Sequence, residues 1–204
     1  MIYDPSIHHR RSIRLQGFDY SKAGAYFITI CTHHRLCRFG KIKNGEMRFN
    51  PIGWIVSEQW KVIPERYQMV KLDEFVVMPN HIHGIFAITT GTRTQSSIPN
   101  PDDPVGAPAR GANLSDTAKR APARGAPTVG DIVGSYKSLC VHHCLKWTKG
   151  NTPEWILGTL WQRNFWEHII RNESELDRIR EYIRTNPAQW QSDCLYIENQ
   201  NRKP

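Results

Sequence analysis

Apolar residues recur with two different periods along the chain, and the pattern predicts a mixed α and β fold. The segment 25–32 (AYFITICT) is rich in β-branched and aromatic residues, which is typical of a buried strand. Two more strands are predicted over 72–78 and 81–88, joined by a Pro-Asn turn that cannot continue a central strand. The pair Asn44 and Gly45 predicts the tight turn of a hairpin.

Apolar positions at helical spacing predict three helices. The first extends from Pro51 to about Tyr67, with the proline suited to the first turn. The second covers 128–149. The third follows Asn172, a suitable N-cap, and continues to Asn186, where a proline ends it. Together, the elements predict one α+β domain covering 1–204.

The segment from about 89 to 130 differs in composition from the rest of the chain. Gly, Pro, Ala, Ser, Thr and Arg dominate it, and the sequence GAPARGA at 106–112 returns as RAPARGA at 120–126. Such a segment cannot bury enough apolar surface to offset the entropy of ordering, so it predicts a flexible insertion. We expect it to act as a spacer or to contact DNA phosphates through its basic residues. The basic residues are Arg110, Lys119, Arg120 and Arg124.

Charge and cysteine content narrow the choice of partner and compartment. The chain has 27 Lys and Arg against 19 Asp and Glu, a formal charge of +8, which favours a polyanionic partner without identifying it. Its five cysteines are odd in number and no signal peptide is evident, so we expect a reducing, cytoplasmic location. No stretch of about 18 apolar residues is present, so no membrane span is predicted.

The triplet His81, Ile82 and His83 is a candidate metal-binding pair. Side chains of a strand alternate between its faces, so both imidazoles lie on one face and Ile82 lies on the other. The two histidines also begin an apolar strand directly after a turn, where a rigid scaffold meets solvent. Two ligands make half of a metal site, and a third ligand is still required.

Tyr182 is the candidate nucleophile, and it lies at the border of the apolar stripe of the last helix. At this position the ring can be buried while the hydroxyl reaches outward. Asn186 follows one turn later on the same face, so a phenol oxygen and an amide oxygen can point to one place. A metal held by His81, His83 and Asn186 would then lie beside the Tyr182 hydroxyl.

Other residues offer competing chemistry. Tyr136, on the second predicted helix near two lysines, is an alternative nucleophile, although it has no amide one turn later. A zinc-dependent nucleic-acid binder is the other alternative, although the cysteine spacings lack zinc-finger regularity. Its two possible ligand sets are Cys140, His142, His143 and Cys144, or Cys31, His33, His34 and Cys37.

Three motifs, in this order, resemble the single-tyrosine HUH transposases and are most similar to the REP-associated tyrosine transposase group. They are MPNHIHGI at 78–85, WQRNFWEHIIRN at 161–172 and EYIRTNPAQW at 181–190. The resemblance covers most of the chain outside the predicted insertion. It implies a ferredoxin-like or RRM-like α/β sandwich, in which an antiparallel sheet presents the histidines to the tyrosine helix.

The resemblance also implies roles for individual residues. His81 and His83 correspond to the family's metal pair, Tyr182 to its nucleophile and Asn186 to its third ligand, with Mg²⁺ or Mn²⁺ as the metal. One departure is that insertion-sequence relatives have a glutamine at the third-ligand position, whereas Asn186 is shorter. The basic residues expected to contact DNA are Arg163, Arg171, Arg178 and Lys137.

The implied activity is that of a metal-dependent endonuclease and strand transferase. It would act on single-stranded DNA bearing a hairpin, through a 5′-phosphotyrosine intermediate, in a bacterial cytoplasm and at the nucleoid when bound to DNA. The main alternative is a DNA-binding relative without catalysis, either a domesticated transposase or the zinc-dependent binder. Monomer and homodimer both remain open.

Overall fold

The computed structural model describes residues 19–89, 127–148 and 160–196. The insertion predicted at about 89–130 lies mostly outside this part of the chain. The described elements, in chain order, are β1 (Gly24–Cys31), β2 (Gly40–Lys43), β3 (Glu46–Phe49), α1 (Pro51–Lys61), α2 (Ile63–Arg66), β4 (Val70–Val77), β5 (His81–Ile88), α3 (Val129–Thr148), β6 (Trp166–Ile170) and α4 (Glu173–Thr185). None of these helices is long and apolar enough to cross a bilayer.

Four of the strands form one antiparallel sheet in the order β4-β5-β1-β6. Helix α1 lies in sequence between β1 and β4, and α3 lies between β5 and β6. This βαββαβ connection, with the first and third sheet strands adjacent at the centre, is the ferredoxin-like arrangement. The predicted α+β sandwich is therefore confirmed.

Strands β2 and β3 form a separate hairpin between β1 and α1. Its turn is made by Asn44 and Gly45, with φ angles of 54° and 73°. Consecutive left-handed residues favour Asn followed by Gly, because these residues tolerate positive φ best. The hairpin turn predicted from this dipeptide is therefore confirmed.

The structure differs from the sequence pattern in two elements. The helix predicted from Pro51 to about Tyr67 is broken at Val62 into α1 and α2. Pro64 explains the break, because it has no N–H with which to continue the helix. Strand β6 was not predicted. Among the described strands it pairs only with β1, at the edge of the sheet, and an edge strand tolerates the polar residues that obscure its pattern.

The larger core lies on the sheet face covered by α1 and α3. Alternate residues of β1 point into it, and the two helices supply the opposing apolar side chains. Its central members are Tyr26, Ile28, Ile30, Ile52, Val56, Trp60, Ile82, Phe86, Ile132, Val133 and Tyr136. Ile82 therefore lies on the opposite face from its two histidine neighbours, as the alternation predicts.

Gly84 allows α1 to approach the sheet closely. A Cβ atom at this position would lie 2.4 Å from the ring of Trp60. That ring stacks on Phe75, with centroids 4.6 Å apart. A larger side chain in place of Gly84 would displace Trp60, so the glycine directly after the second histidine has a packing role.

Helix α4 covers the other face of the sheet. Its N-cap is Asn172, whose side chain accepts a hydrogen bond from the backbone N–H of Glu175, as predicted. Ile179 and Ile183 are buried in a second cluster with Phe27 and other sheet residues. This packing places Tyr182 over the face of β5 that carries the histidines.

Candidate active site

His81 and His83 lie at the start of β5, on the face covered by α4. Both are buried, with exposed fractions of 0% and 3%. Their Nε2 atoms are 3.0 Å apart. Two nitrogens that bind one ion at right angles, with bonds of about 2.1 Å, are separated by about this distance. The pair therefore has a spacing suited to shared coordination.

Hydrogen bonds at the other ring nitrogens fix the orientation of the two imidazoles. His81 Nδ1–H donates to Asn80 Oδ1 at 2.7 Å, and His83 Nδ1 is 2.8 Å from the hydroxyl oxygen of Thr29. Metal-binding histidines usually engage the second nitrogen in this way, which holds the ring and the tautomer. Both Nε2 atoms are thereby turned toward each other.

Asn80 connects three parts of the site. Besides accepting from His81, its side-chain Nδ2–H₂ donates to the carbonyl oxygens of Arg35 and Leu195, at 3.0 and 2.8 Å. Because Nδ2 serves two carbonyls, Oδ1 must face the histidine. The Pro-Asn turn that the sequence marks as a strand boundary therefore also joins β5 to the loop after β1 and to the segment after α4.

Burial holds both histidines neutral. It lowers the pKa of His81 to about 3, with a smaller contribution from the positive charge of Arg35. Burial also lowers the pKa of His83 well below its usual value, and the neighbouring His81 adds to this effect. Neutral imidazole is the form that binds a metal, so the site needs no proton release from these rings before coordination.

The Tyr182 hydroxyl is 3.1 Å from Nε2 of His83. Its ring packs edge-on against Phe27, with centroids 6.2 Å apart, while 39% of the residue is exposed. Burial raises the pKa of Tyr182 to about 12, helped by the nearby Asp193 and Cys194 side chains and opposed by the amide of Asn186. The phenol is protonated at neutral pH and reaches both the histidines and solvent.

Two oxygen atoms in this region are buried and have no hydrogen-bond partner: Asn186 Oδ1 and Asp193 Oδ2. Asn186 is the predicted third ligand. Asp193, which no sequence motif indicates, has its Oδ2 3.8 Å from Nε2 of His81. Candidate ligand atoms of His81, His83 and Asp193 all lie within 4.8 Å of one another. A buried oxygen without a partner, close to two imidazole Nε2 atoms that face each other, suits a divalent cation, because the cation would satisfy these atoms.

A cleft of about 490 Å³ opens beside the histidine and tyrosine side chains. Its wall includes Phe27, Thr29, Cys31, Arg35, His83, Gln162, Asn164, Phe165, Trp166, Tyr182, Cys194 and Leu195. The lining is rich in apolar and aromatic residues and also includes polar residues, of which His83 contacts the Tyr182 hydroxyl. A cleft of this size and character is typical of a ligand-binding site.

Arg35 is a second residue that no sequence motif indicates. It lines the cleft, and with His34 it adopts left-handed backbone, at φ angles of 55° and 56°. Such backbone is uncommon for these residue types and often occurs at functional sites. Asn80 holds the loop through the Arg35 carbonyl. Charge alone did not distinguish this arginine from the other basic residues of the chain.

The four basic residues predicted to contact DNA differ in their surroundings. Arg163, Arg171 and Arg178 are exposed. Lys137 is instead engaged within the protein: its Nζ donates to the carbonyl oxygens of 162, 163 and 164, at 2.8 to 3.2 Å. Burial lowers the pKa of Lys137 to about 8. Its three donors hold the segment before β6 in place.

The competing residues are arranged differently. Tyr136 is buried in the core, where its hydroxyl donates to the Val56 carbonyl and burial raises its pKa far above the usual value. Cys140 and Cys144 are also buried in that core. Within the described part of the chain, only His81, His83 and Asp193 form a group of three metal-ligand side chains, so neither predicted zinc set is assembled.

Comparisons with known proteins agree with this fold. No protein-family model matches the sequence. An uncharacterized protein of Haemophilus influenzae is 38% identical over 197 residues, which cover 96% of this chain and 98% of that protein. The structure is similar to that of a REP-associated tyrosine transposase bound to a REP hairpin, with a TM-score of 0.50 and 17% identity, covering 87% of this chain and 74% of the other. This chain therefore belongs to the same family as the Haemophilus influenzae protein and shares its fold with a tyrosine transposase.

Proposed function

We propose that this protein cuts and rejoins single-stranded DNA through a covalent bond to Tyr182, in a reaction that requires Mg²⁺ or Mn²⁺. One observation carries the proposal: the Tyr182 hydroxyl lies 3.1 Å from Nε2 of His83, which lies 3.0 Å from Nε2 of His81. A tyrosine oxygen and two imidazole nitrogens thus lie close together beside an open cleft. This combination supports metal-assisted attack on phosphorus.

His81, His83, Asn186 and Asp193 are the residues that would hold the cation. Their nitrogen and oxygen atoms suit Mn²⁺, and oxygen atoms of phosphate and water would make the set acceptable to Mg²⁺. A bound divalent cation would polarise the scissile phosphate and offset the negative charge that develops there. Asn186 and Asp193 are both candidates for the third ligand. The short side chain of Asn186 therefore need not replace, by itself, the glutamine that insertion-sequence relatives have at this position.

The chemical step forms one bond and breaks one bond. The Tyr182 oxygen bonds to phosphorus while the bond from phosphorus to the 3′ oxygen of the DNA breaks. The phenolic proton is released and the departing 3′ oxygen takes up a proton, so the step is balanced. The products are a 5′-phosphotyrosine and a free 3′ hydroxyl. Attack by a 3′ hydroxyl of another strand reverses the step, so rejoining needs no nucleotide cofactor.

The surrounding residues support this step by position and charge. Burial raises the pKa of Tyr182 to about 12, so its attack at neutral pH requires loss of the phenolic proton as well as neutralisation of the phosphate charge. Arg35 lines the same cleft, and a guanidinium is suited to hold phosphate oxygens. We therefore assign Arg35 to contact with the scissile phosphate.

We infer that the substrate is a hairpin-bearing single strand, because the structure with the same fold is bound to a REP hairpin. The exposed arginines Arg163, Arg171 and Arg178 would contact its backbone. The net charge of +8 suits such a polyanion, since neutralised phosphates release counterions.

A covalent-adduct assay tests the proposal. The protein is incubated with end-labelled hairpin-bearing single strands and Mn²⁺ or Mg²⁺, and the products are separated under denaturing conditions. We expect a protein–DNA adduct that a chelator prevents and that the His81→Gln variant does not form. Failure of the wild-type protein to form an adduct with any structured single strand in Mn²⁺ would favour a DNA-binding relative without catalysis.

A further inference from the structure

The part of the cleft beside Tyr182 combines an aromatic surface with two amide side chains. Trp166, the first residue of β6, lines the cleft together with Gln162 and Asn164 from the segment that leads into that strand. Trp166 is 44% exposed although it is a large apolar residue. An exposed tryptophan in a cleft, next to a candidate nucleophile, indicates a surface that contacts a ligand.

The orientation of Trp166 is fixed by other rings. Its ring stacks in parallel with that of His168, with centroids 5.8 Å apart and an interplanar angle of 4°. The ring of Phe27 meets it edge-on at 5.5 Å. His168 is in turn 2.8 Å from a carboxylate oxygen of Glu175. The indole is thus held in place before a ligand binds, which lowers the entropic cost of binding.

The two amides are also presented by a fixed backbone. The Gln162 N–H donates to the Cys31 carbonyl at 2.9 Å, and Lys137 binds the carbonyls of 162, 163 and 164. Lys137, on α3, thereby supplies hydrogen-bond donors to the backbone carbonyls of this segment. Gln162 and Asn164 both line the cleft, and the side-chain amide of each has both hydrogen-bond donors and an acceptor.

We propose that this part of the cleft, formed by Trp166, Gln162 and Asn164, holds one unpaired nucleobase next to the phosphate that Tyr182 attacks. A nucleobase matches the chemistry, because it has a flat face for stacking on an indole and a polar edge for reading by amides. The inference rests on the proposed function and extends it: Trp166 stacks on the base, and the two amides select which base is accepted.

The inference is tested by binding, so that it does not depend on cleavage. The Tyr182→Phe protein, which cannot consume the DNA, is titrated with hairpin-bearing single strands. In each strand, one unpaired nucleotide beside the hairpin is replaced by an abasic nucleotide. We expect one position at which loss of the base weakens binding about tenfold, as removal of a stacked base does. The other unpaired positions should change affinity little.

Repeating the titration with the Trp166→Ala variant shows whether the sensitive nucleotide position is the one held by the pocket. In the Trp166→Ala, Tyr182→Phe protein, most of the difference between the abasic strand and the intact strand should be lost, because the stacking surface is gone. The matched control is Trp54→Ala: Trp54 is 57% exposed but lies on α1, on the opposite face of the sheet, and should keep the tenfold difference. A further titration compares four strands that differ only in the base at the sensitive position. The Gln162→Ala and Asn164→Ala variants should show smaller differences in affinity among the four bases.

The outcomes separate the two proposals. The nucleobase pocket would be overturned if no abasic position weakened DNA binding. It would also be overturned if Trp166→Ala left the sensitivity to base loss unchanged. Formation of a Tyr182 adduct by the wild-type protein with the same strands would then leave the proposed function standing. If the wild-type protein formed no adduct, but Trp166→Ala removed the sensitivity to base loss at one position, the nucleobase pocket would be supported and the catalytic proposal would be contradicted.

Discussion

The Tyr182 hydroxyl and Nε2 of His83 lie 3.1 Å apart, although the two residues are 99 positions apart in the chain. The contact depends on α4 packing over the sheet face that presents the start of β5. It brings the candidate nucleophile to the same nitrogen that faces His81. The proposed attack and the proposed metal site therefore share one location, and each can be tested through the other.

We predict that Asn80→Ala weakens Mn²⁺ binding about tenfold to a hundredfold, as loss of a hydrogen-bond partner of a ligating histidine does. The variant also leaves the Arg35 and Leu195 carbonyls without donors, which costs about 1 to 3 kcal/mol of the free energy of unfolding. Isothermal titration calorimetry with Mn²⁺ and urea denaturation measure the two effects separately.

Asn80→Asp is the matched control for that experiment. It keeps an acceptor for the Nδ1–H of His81 but loses both N–H donors, so it should lose stability while retaining most of the Mn²⁺ affinity. If Asn80→Ala lost stability yet bound Mn²⁺ as tightly as the wild-type protein, Asn80 would have only a structural role.

Asp193→Asn should weaken Mn²⁺ binding by about tenfold or more, because it removes an anionic ligand. The same change should leave the metal-free protein equally stable or slightly more stable, since Asp193 Oδ2 is buried without a partner. The control is Asp177→Asn, on the exposed side of α4 and paired with Arg180. An unchanged Mn²⁺ affinity in Asp193→Asn would exclude Asp193 as a ligand.

Much of this site is predictable from sequence because it depends on local periodicity. Alternation along β5 places His81 and His83 on one face, and helical spacing places Tyr182 at the edge of the stripe that α4 buries. Asp193 follows no such period. It reaches the site because Trp190 packs against the ring of His81 and the Leu195 carbonyl accepts from Asn80, contacts that only the tertiary fold creates.

The role of Lys137 was hidden from the sequence for the same reason. A lysine on a basic helix predicts a phosphate contact, whereas its actual partners are backbone carbonyls of a segment 25 to 27 positions later. Strand β6 was obscured because it lies at the sheet edge. The sequence pattern thus predicted the fold class and the common face of His81 and His83 better than the supporting contacts.

Acid should destabilise the metal-free protein through its two buried histidines. Their folded-state pKa values lie below the ordinary value, so the unfolded chain binds more protons below about pH 6.5 and stability falls as pH falls. We expect a loss of about 2 kcal/mol between pH 7 and pH 5.5 from the pair. Urea denaturation at the two pH values measures it. The His81→Gln, His83→Gln double variant should lose much less, and an equal loss would assign the effect to other groups.

The variants Arg163→Ala and Lys137→Ala should lose different properties, DNA affinity in the first and stability in the second. Arg163 is exposed, so its loss should weaken DNA binding and reduce the slope of log affinity against log salt by about 1, without changing the melting temperature. Lys137→Ala should cost about 1 to 3 kcal/mol of stability, because three carbonyls lose their donor, while its salt slope stays unchanged. A stable Lys137→Ala protein with a reduced slope would return Lys137 to the DNA-contacting residues.

The most direct test of the central claim is mass spectrometry of the proteolysed protein–DNA adduct. We predict that the DNA is joined through a 5′-phosphate to the peptide that contains Tyr182, and that Tyr182→Phe forms no adduct. The matched control is Tyr136→Phe, which removes a buried hydroxyl bonded to Val56 and should still form the adduct. DNA attached to any other residue, or an adduct that persists in Tyr182→Phe, would contradict the assignment of Tyr182 as the nucleophile.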